Sequence, residues 1–198
     1  MPRVGILGGA FNPPHLGHLV CAQEARLQLG LERVLLVPVG DPPHRELEDD
    51  PGPDARLEMT ELAAAGDPGL SVSRIELDRP GPSYTADTLA ALRDSAPEDE
   101  LVLILGGDQA AALPFWHEPG RVLELAEVAA VERVNWPREE IVRSLDDLAG
   151  AERLHFVHMP LIEISSSDLR RRAAAGQPLR YLVPEPVAEL IAERGLYT

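Results

Sequence analysis

An apolar run over residues 4–7 passes directly into a double glycine, Gly8-Gly9, and soon afterwards the apolar spacing turns helical, over residues 16–29. Strand, glycine turn and helix in that order open a βαβ unit. The alternation then continues. Further β-type runs lie at residues 34–39, 70–72, 101–105, 128–131 and 154–157, and periodic segments at residues 55–65, 85–93 and 138–148. This pattern predicts an α/β fold with a parallel sheet. Val34-Leu35-Leu36-Val37 is apolar without interruption, as expected of a strand covered on both faces. Right-handed crossovers then give a Rossmann-like doubly wound sheet, which binds ligands at the C-terminal edge of its strands.

With 198 residues the chain suits one domain spanning residues 1–198. Its C-terminal part, residues 164–198, is expected to be a small helical subdomain of two helices joined by Gly176-Gln177-Pro178. The net charge of −15 argues against nucleic acid as a partner, because neutralising a phosphate backbone needs a basic face. All 18 basic residues are arginine, so any cationic contact to phosphate must come from Arg or His. No apolar run reaches the roughly 18 residues of a membrane span, so no membrane association is expected. The N-terminus has no signal-like apolar segment, and Cys21 alone excludes an internal disulfide framework. Together these predict a cytoplasmic protein.

Two motifs carry anion chemistry. The first is Gly8-Gly9-Ala10-Phe11-Asn12-Pro13-Pro14-His15-Leu16-Gly17-His18. It places two imidazoles at a helix start, where the first N–H groups lack helical partners and attract phosphate. The second is Ile164-Ser165-Ser166-Ser167-Asp168-Leu169-Arg170. Ser165 with Asp168 reads as a capping box. Three hydroxyls at a helix start with Arg170 one turn in also make a second anion site. Nothing has the spacing of a zinc site, and no resident metal is expected. Residues 40–53, with an acidic, proline-broken stretch, form a connection long for an α/β fold.

Taken together, these motifs resemble those of the bacterial nicotinate mononucleotide adenylyltransferases, within the His-x-Gly-His nucleotidyltransferase superfamily. The resemblance spans essentially the whole chain. It includes Pro42-Pro43-His44-Arg45, Pro82-Ser83-Tyr84-Thr85-Ala86-Asp87-Thr88-Leu89, Gly106-Gly107-Asp108 and Phe115-Trp116. It implies adenylyl transfer from ATP to nicotinate mononucleotide, giving deamido-NAD and pyrophosphate, with Mg²⁺ carried on the ATP phosphates. On the ATP side it implies Gly8, Gly9, Ala10, Phe11, His15, His18, Gly106, Asp108, Ser165, Ser166, Ser167 and Arg170. His15, His18 and Arg170 would be the catalytic group, stabilising charge at the α-phosphorus and on the departing pyrophosphate.

On the mononucleotide side the resemblance implies Asn12, Arg45, Ser83, Tyr84, Thr85, Trp116 and Arg133. N–H groups opening the helix at Thr85 can accept a carboxylate, and Trp116 can stack on a pyridinium ring. The chain departs from the family after residue 131. There the family tends to show Arg-Pro-Gly and this chain has Glu132-Arg133-Val134-Asn135-Trp136-Pro137. Competing readings are a nicotinamide mononucleotide or phosphopantetheine adenylyltransferase, or a non-catalytic nucleotide sensor on this fold. A homo-oligomer is compatible with all of them.

Overall fold

The computed structural model describes residues 1–43, 46–132 and 136–198. Six strands form one parallel sheet: β1 (Arg3–Gly9), β2 (Arg33–Pro38), β3 (Leu70–Val72), β4 (Glu100–Gly106), β5 (Ala126–Val131) and β6 (Leu154–Val157). Their spatial order is β3-β2-β1-β4-β5-β6. The helices are α1 (Leu16–Leu29), α2 (Pro53–Ala64), α3 (Thr85–Ser95), α4 (Gly107–Ala112), α5 (Pro119–Leu125), α6 (Arg138–Leu145), α7 (Ser166–Ala174) and α8 (Glu185–Arg194).

Side chains alternate across the pleat, so each central strand feeds two cores. Leu101, Leu103 and Leu105 of β4 join Val4, Ile6, Val128 and Ala130 on one face, with Leu89 of α3, Val122 of α5 and Ile141 of α6. Val102 and Ile104 join Leu7, Val34, Leu36 and Ala129 on the other, with Ala22 and Ala25 of α1. The strands are therefore continuous apolar runs because both faces are covered. A third cluster joins α2, α7 and α8 through Met59, Leu169, Val187 and Ile191.

All six expected strands are present. Two short helices lie outside the periodic segments read from the sequence. α4 begins at a glycine and carries three alanines, so it shows no apolar stripe, and α5 has only seven residues. The expected link at residues 176–178 is longer: α7 ends at Ala174 and α8 starts at Glu185.

The strand order reverses direction between β1 and β4. The crossover after β1 runs over one face and the one after β4 over the other, which leaves an open crevice at their C-terminal ends. What closes its flank is Arg56 on α2, whose side chain is 1% exposed. Its Nη1 donates to the carbonyls of Ala10 (3.2 Å) and Val39 (2.7 Å), and its Nε donates to Asp50 at 2.9 Å. One guanidinium thus joins the turns after β1 and β2 to the following loop. Arg56→Met strands two carbonyls and a carboxylate, so it should lower unfolding free energy by about 3 kcal/mol in urea denaturation. A loss under about 1 kcal/mol would contradict this role.

Candidate active site

The crevice is built first from the turn after β1. Gly8 is exposed at the strand end, and a Cβ there would meet nothing within 4 Å, so a ligand has room to approach the main chain. Phe11 adopts φ +48°, in the left-handed region, and its ring is 1% exposed. That ring meets His18 edge-on, with centroids 5.1 Å apart, and His18 stacks on His15 at 3.8 Å. The His15 backbone N–H donates to His18 Nδ1 at 3.2 Å. An Nδ1 that accepts carries no proton, so the neutral ring holds its proton on Nε2.

The start of α1 differs from the sequence expectation. Its first N–H, from Leu16, donates to the Leu182 carbonyl, and the His18 N–H turns back to the His15 carbonyl. Protein acceptors thus take groups expected to face a phosphate. The open main chain at Gly8 and the imidazoles are the features of this turn left to meet an anion if one binds here.

The second motif lies against the first. Ser165 caps α7: its Oγ accepts the Asp168 N–H at 3.1 Å and donates to Asp168 Oδ2 at 2.7 Å. Ser166 Oγ donates to the Pro13 carbonyl at 2.9 Å. Arg170, 7% exposed, donates through Nη1 to the Asn12 carbonyl at 3.1 Å. Its other nitrogens face Glu48 and Asp49, each at 3.4 Å, and Ser167 Oγ at 3.5 Å. Residues far apart in sequence are thereby joined through one buried and one partly buried polar bond. The Ser166 hydroxyl serves this joint, and Arg170 holds a cationic group at the site.

Asn12 is 2% exposed and its carboxamide is spent within the protein. Oδ1 accepts from Tyr197 Oη at 2.7 Å, and Nδ2 donates to the Glu48 carbonyl at 3.0 Å. Across the crevice, Gly106 caps α4 and Asp108 lies half-buried in its first turn. Gly107 is required there, because a Cβ would sit 2.9 Å from Trp136 Cβ.

A further wall comes from α3. No side chain caps its start, so its first N–H groups have no side-chain acceptor. Tyr84 stacks on His117 with centroids 4.1 Å apart, which brings the Thr85 segment beside Trp116. Trp116 is half-buried against the core. Ser83 turns inward instead: its Oγ accepts the N–H groups of Gly40 (3.2 Å) and Asp41 (3.1 Å). Beneath it lies Glu76, which accepts from Thr88 Oγ1 at 2.7 Å. Arg45 and Arg133, with His44, lie outside the described residues.

Arg56, Glu76 and Tyr197 were not singled out by sequence reasoning. Arg56 had a usable signal, since it shares a helical stripe with the buried Met59, Thr60 and Ala63. Among the described residues no group of acidic, His and Cys side chains has the arrangement of a metal site. No helix among them is long and apolar enough to cross a membrane.

This fold, with glycine turn and paired histidines at its strand reversal, is that of a nucleotidyltransferase. The chain belongs to the cytidylyltransferase-like family, whose sequence profile matches residues 6–172, and within it to the nicotinate-nucleotide adenylyltransferases. A Roseiflexus sp. (strain RS-1) protein named probable nicotinate-nucleotide adenylyltransferase is 46% identical over 98% of this chain and 97% of its own. A Thermus thermophilus protein of the same name is 44% identical, over 98% and 99% respectively. Among solved structures, Plasmodium falciparum nicotinic acid mononucleotide adenylyltransferase complexed with NaAD superposes with a TM-score of 0.79. It covers 100% of this chain and 98% of that one at 16% identity, a likeness of fold.

Burial pushes the Glu76 carboxyl above its ordinary value of 4.5, against the opposing bonds from Thr88 and Ser83 and the charge of Arg79. A carboxyl that holds its proton more tightly when folded adds stability that is full below the unfolded value. That stability is lost as pH rises through the raised folded value. Glu76→Gln removes the dependence. Urea denaturation should show the variant gaining on the wild type as pH climbs from 4.5 toward neutrality. A difference that is flat, or that runs the other way, would count against it.

Proposed function

We propose that the protein transfers the adenylyl group of ATP to nicotinate mononucleotide, releasing pyrophosphate and forming deamido-NAD. The carrying observation is the convergence of His15, His18 and Arg170 on one rim of the β1–β4 crevice, with an uncapped α3 and Trp116 forming the acceptor wall. A phosphate oxygen of the mononucleotide attacks the α-phosphorus in line. The new oxygen–phosphorus bond forms as the bond to the β-phosphate oxygen breaks, and pyrophosphate leaves with that electron pair. The attacking phosphate is already anionic at neutral pH, so no general base is needed. The protein positions the reactants and stabilises charge.

His18 serves through its Nε2–H as a donor to a phosphoryl oxygen, and His15 stacks behind it and orients the ring. Arg170 meets the β- and γ-phosphates, for which Glu48 and Asp49 must yield. Mg²⁺ enters with ATP as part of the substrate and keeps most of its waters. The carboxylate of the acceptor ring meets the N–H groups at the start of α3, a contact the amide cannot make as an anion. Asp108, at the opposite lip, accepts from the ribose hydroxyls. The acceptor therefore decides between this reading and a nicotinamide mononucleotide enzyme.

Pyrophosphate release from ATP, measured with each mononucleotide, tests both points. Release should require added acceptor, and nicotinate mononucleotide should exceed the amide in kcat/KM by at least about 10-fold. Preference for the amide, or release without acceptor, would contradict the proposal. His18→Ala should lower kcat by about 10²-fold or more, as for loss of one preorganised donor, with the thermal midpoint shifted by only a few degrees. Activity and stability falling together would show His18 to be structural.

A further inference from the structure

We propose that Tyr197 is a positioning residue for the triphosphate contact of Arg170, acting through Asn12. This rests on the reading of Arg170 given above. Tyr197 follows α8, far in sequence from the turn after β1, yet its Oη donates to Asn12 Oδ1 at 2.7 Å. Asn12 is 2% exposed and binds in three directions. Its Oδ1 receives Tyr197, its Nδ2 donates to the Glu48 carbonyl at 3.0 Å, and its own carbonyl receives Arg170 Nη1 at 3.1 Å. The orientation of the carboxamide is unambiguous, because only the NH₂ group can serve the Glu48 carbonyl.

Tyr197 therefore holds the residue that holds the guanidinium. It also steadies, through Asn12 Nδ2, the segment carrying Glu48 and Asp49, whose carboxylates face the remaining nitrogens of Arg170. Two further features fit a residue placed for this bond. Its backbone lies at φ +69°, a left-handed conformation that non-glycine residues seldom adopt without a surrounding cause. Burial also pushes its hydroxyl above the ordinary tyrosine value, so it stays a donor across the physiological range. The ring itself sits near Met59 of α2, with Oη 3.8 Å from the sulfur, so phenylalanine can keep the packing and lose only the donor.

The test is calorimetric titration of the full chain with MgATP, comparing wild type, Tyr197→Phe and Tyr181→Phe. Tyr181 is 81% exposed and serves as the control. The Kd of Tyr197→Phe for MgATP should rise about tenfold, as expected when one partly buried hydrogen bond stops ordering the site. The control should bind as wild type does. In steady state the KM for ATP should rise by a similar factor, with the KM for the mononucleotide unchanged. A merely structural role would lower stoichiometry and thermal midpoint and leave Kd alone, and that result overturns the proposal, as does a Kd unchanged in every respect. Failure of the wild type itself to bind MgATP would instead overturn the reading of the site, and this link with it.

Discussion

Everything functional in this molecule depends on the reversal of strand order between β1 and β4. Neighbouring crossovers leave that point toward opposite faces, so the crossovers themselves leave the strand ends open there. Parallel strands also need both faces buried, and the helices that bury them are pushed to the sides of the crevice rather than over it. The Gly8–His18 turn leaves one of these strands and Gly106–Asp108 leaves the other. The turn and the lip proposed to hold phosphate and ribose thus face one another because of topology, before any side chain is chosen.

The rim is then fixed by polar bonds that would be costly to leave unmade. Arg56 and Arg170 are both buried, and each uses main-chain carbonyls of the turn after β1 as acceptors: Ala10 for one, Asn12 for the other. The first ties the turn to the end of β2, and the second ties it to α7. Their loop carboxylates differ in exposure. Asp50 is mostly covered beside Arg56, whereas Glu48 and Asp49 stay largely in solvent beside Arg170. Exposed partners at 3.4 Å are weakly held, so Arg170 can exchange them for a phosphate while Arg56 keeps its structural post.

The sheet was legible in the sequence because continuous apolar runs such as Val34–Val37 have few other uses. The helices read from the sequence over residues 16–29, 55–65, 85–93 and 138–148 are present as α1, α2, α3 and α6. α4 and α5 were not legible, since three alanines and a seven-residue segment give no periodicity to read. The two anion motifs were visible as motifs. Their joining was not, because it depends on contacts between Arg170 and Asn12 that no local spacing encodes. The same holds for Ser83 and the serine run. Residue type and position pointed to ligand contact, but their hydroxyls had nearer partners in Gly40, Asp41, Asp168 and Pro13. Tyr197 carried no signal at all, because its role exists only through a side chain brought in from the other end of the chain.

His18, as an Nε2–H donor, is proposed to meet the phosphates in this crevice. Nitrogen-15 NMR of the histidine side chains during titration with a non-hydrolysable ATP analogue and Mg²⁺ tests it most directly. The Nε2 signal of His18 should move on binding and keep its proton, while those of His155 and His158, on and just after β6, stay where they are. Binding that leaves the His18 signal unmoved, or that shows its proton on Nδ1, would contradict the account.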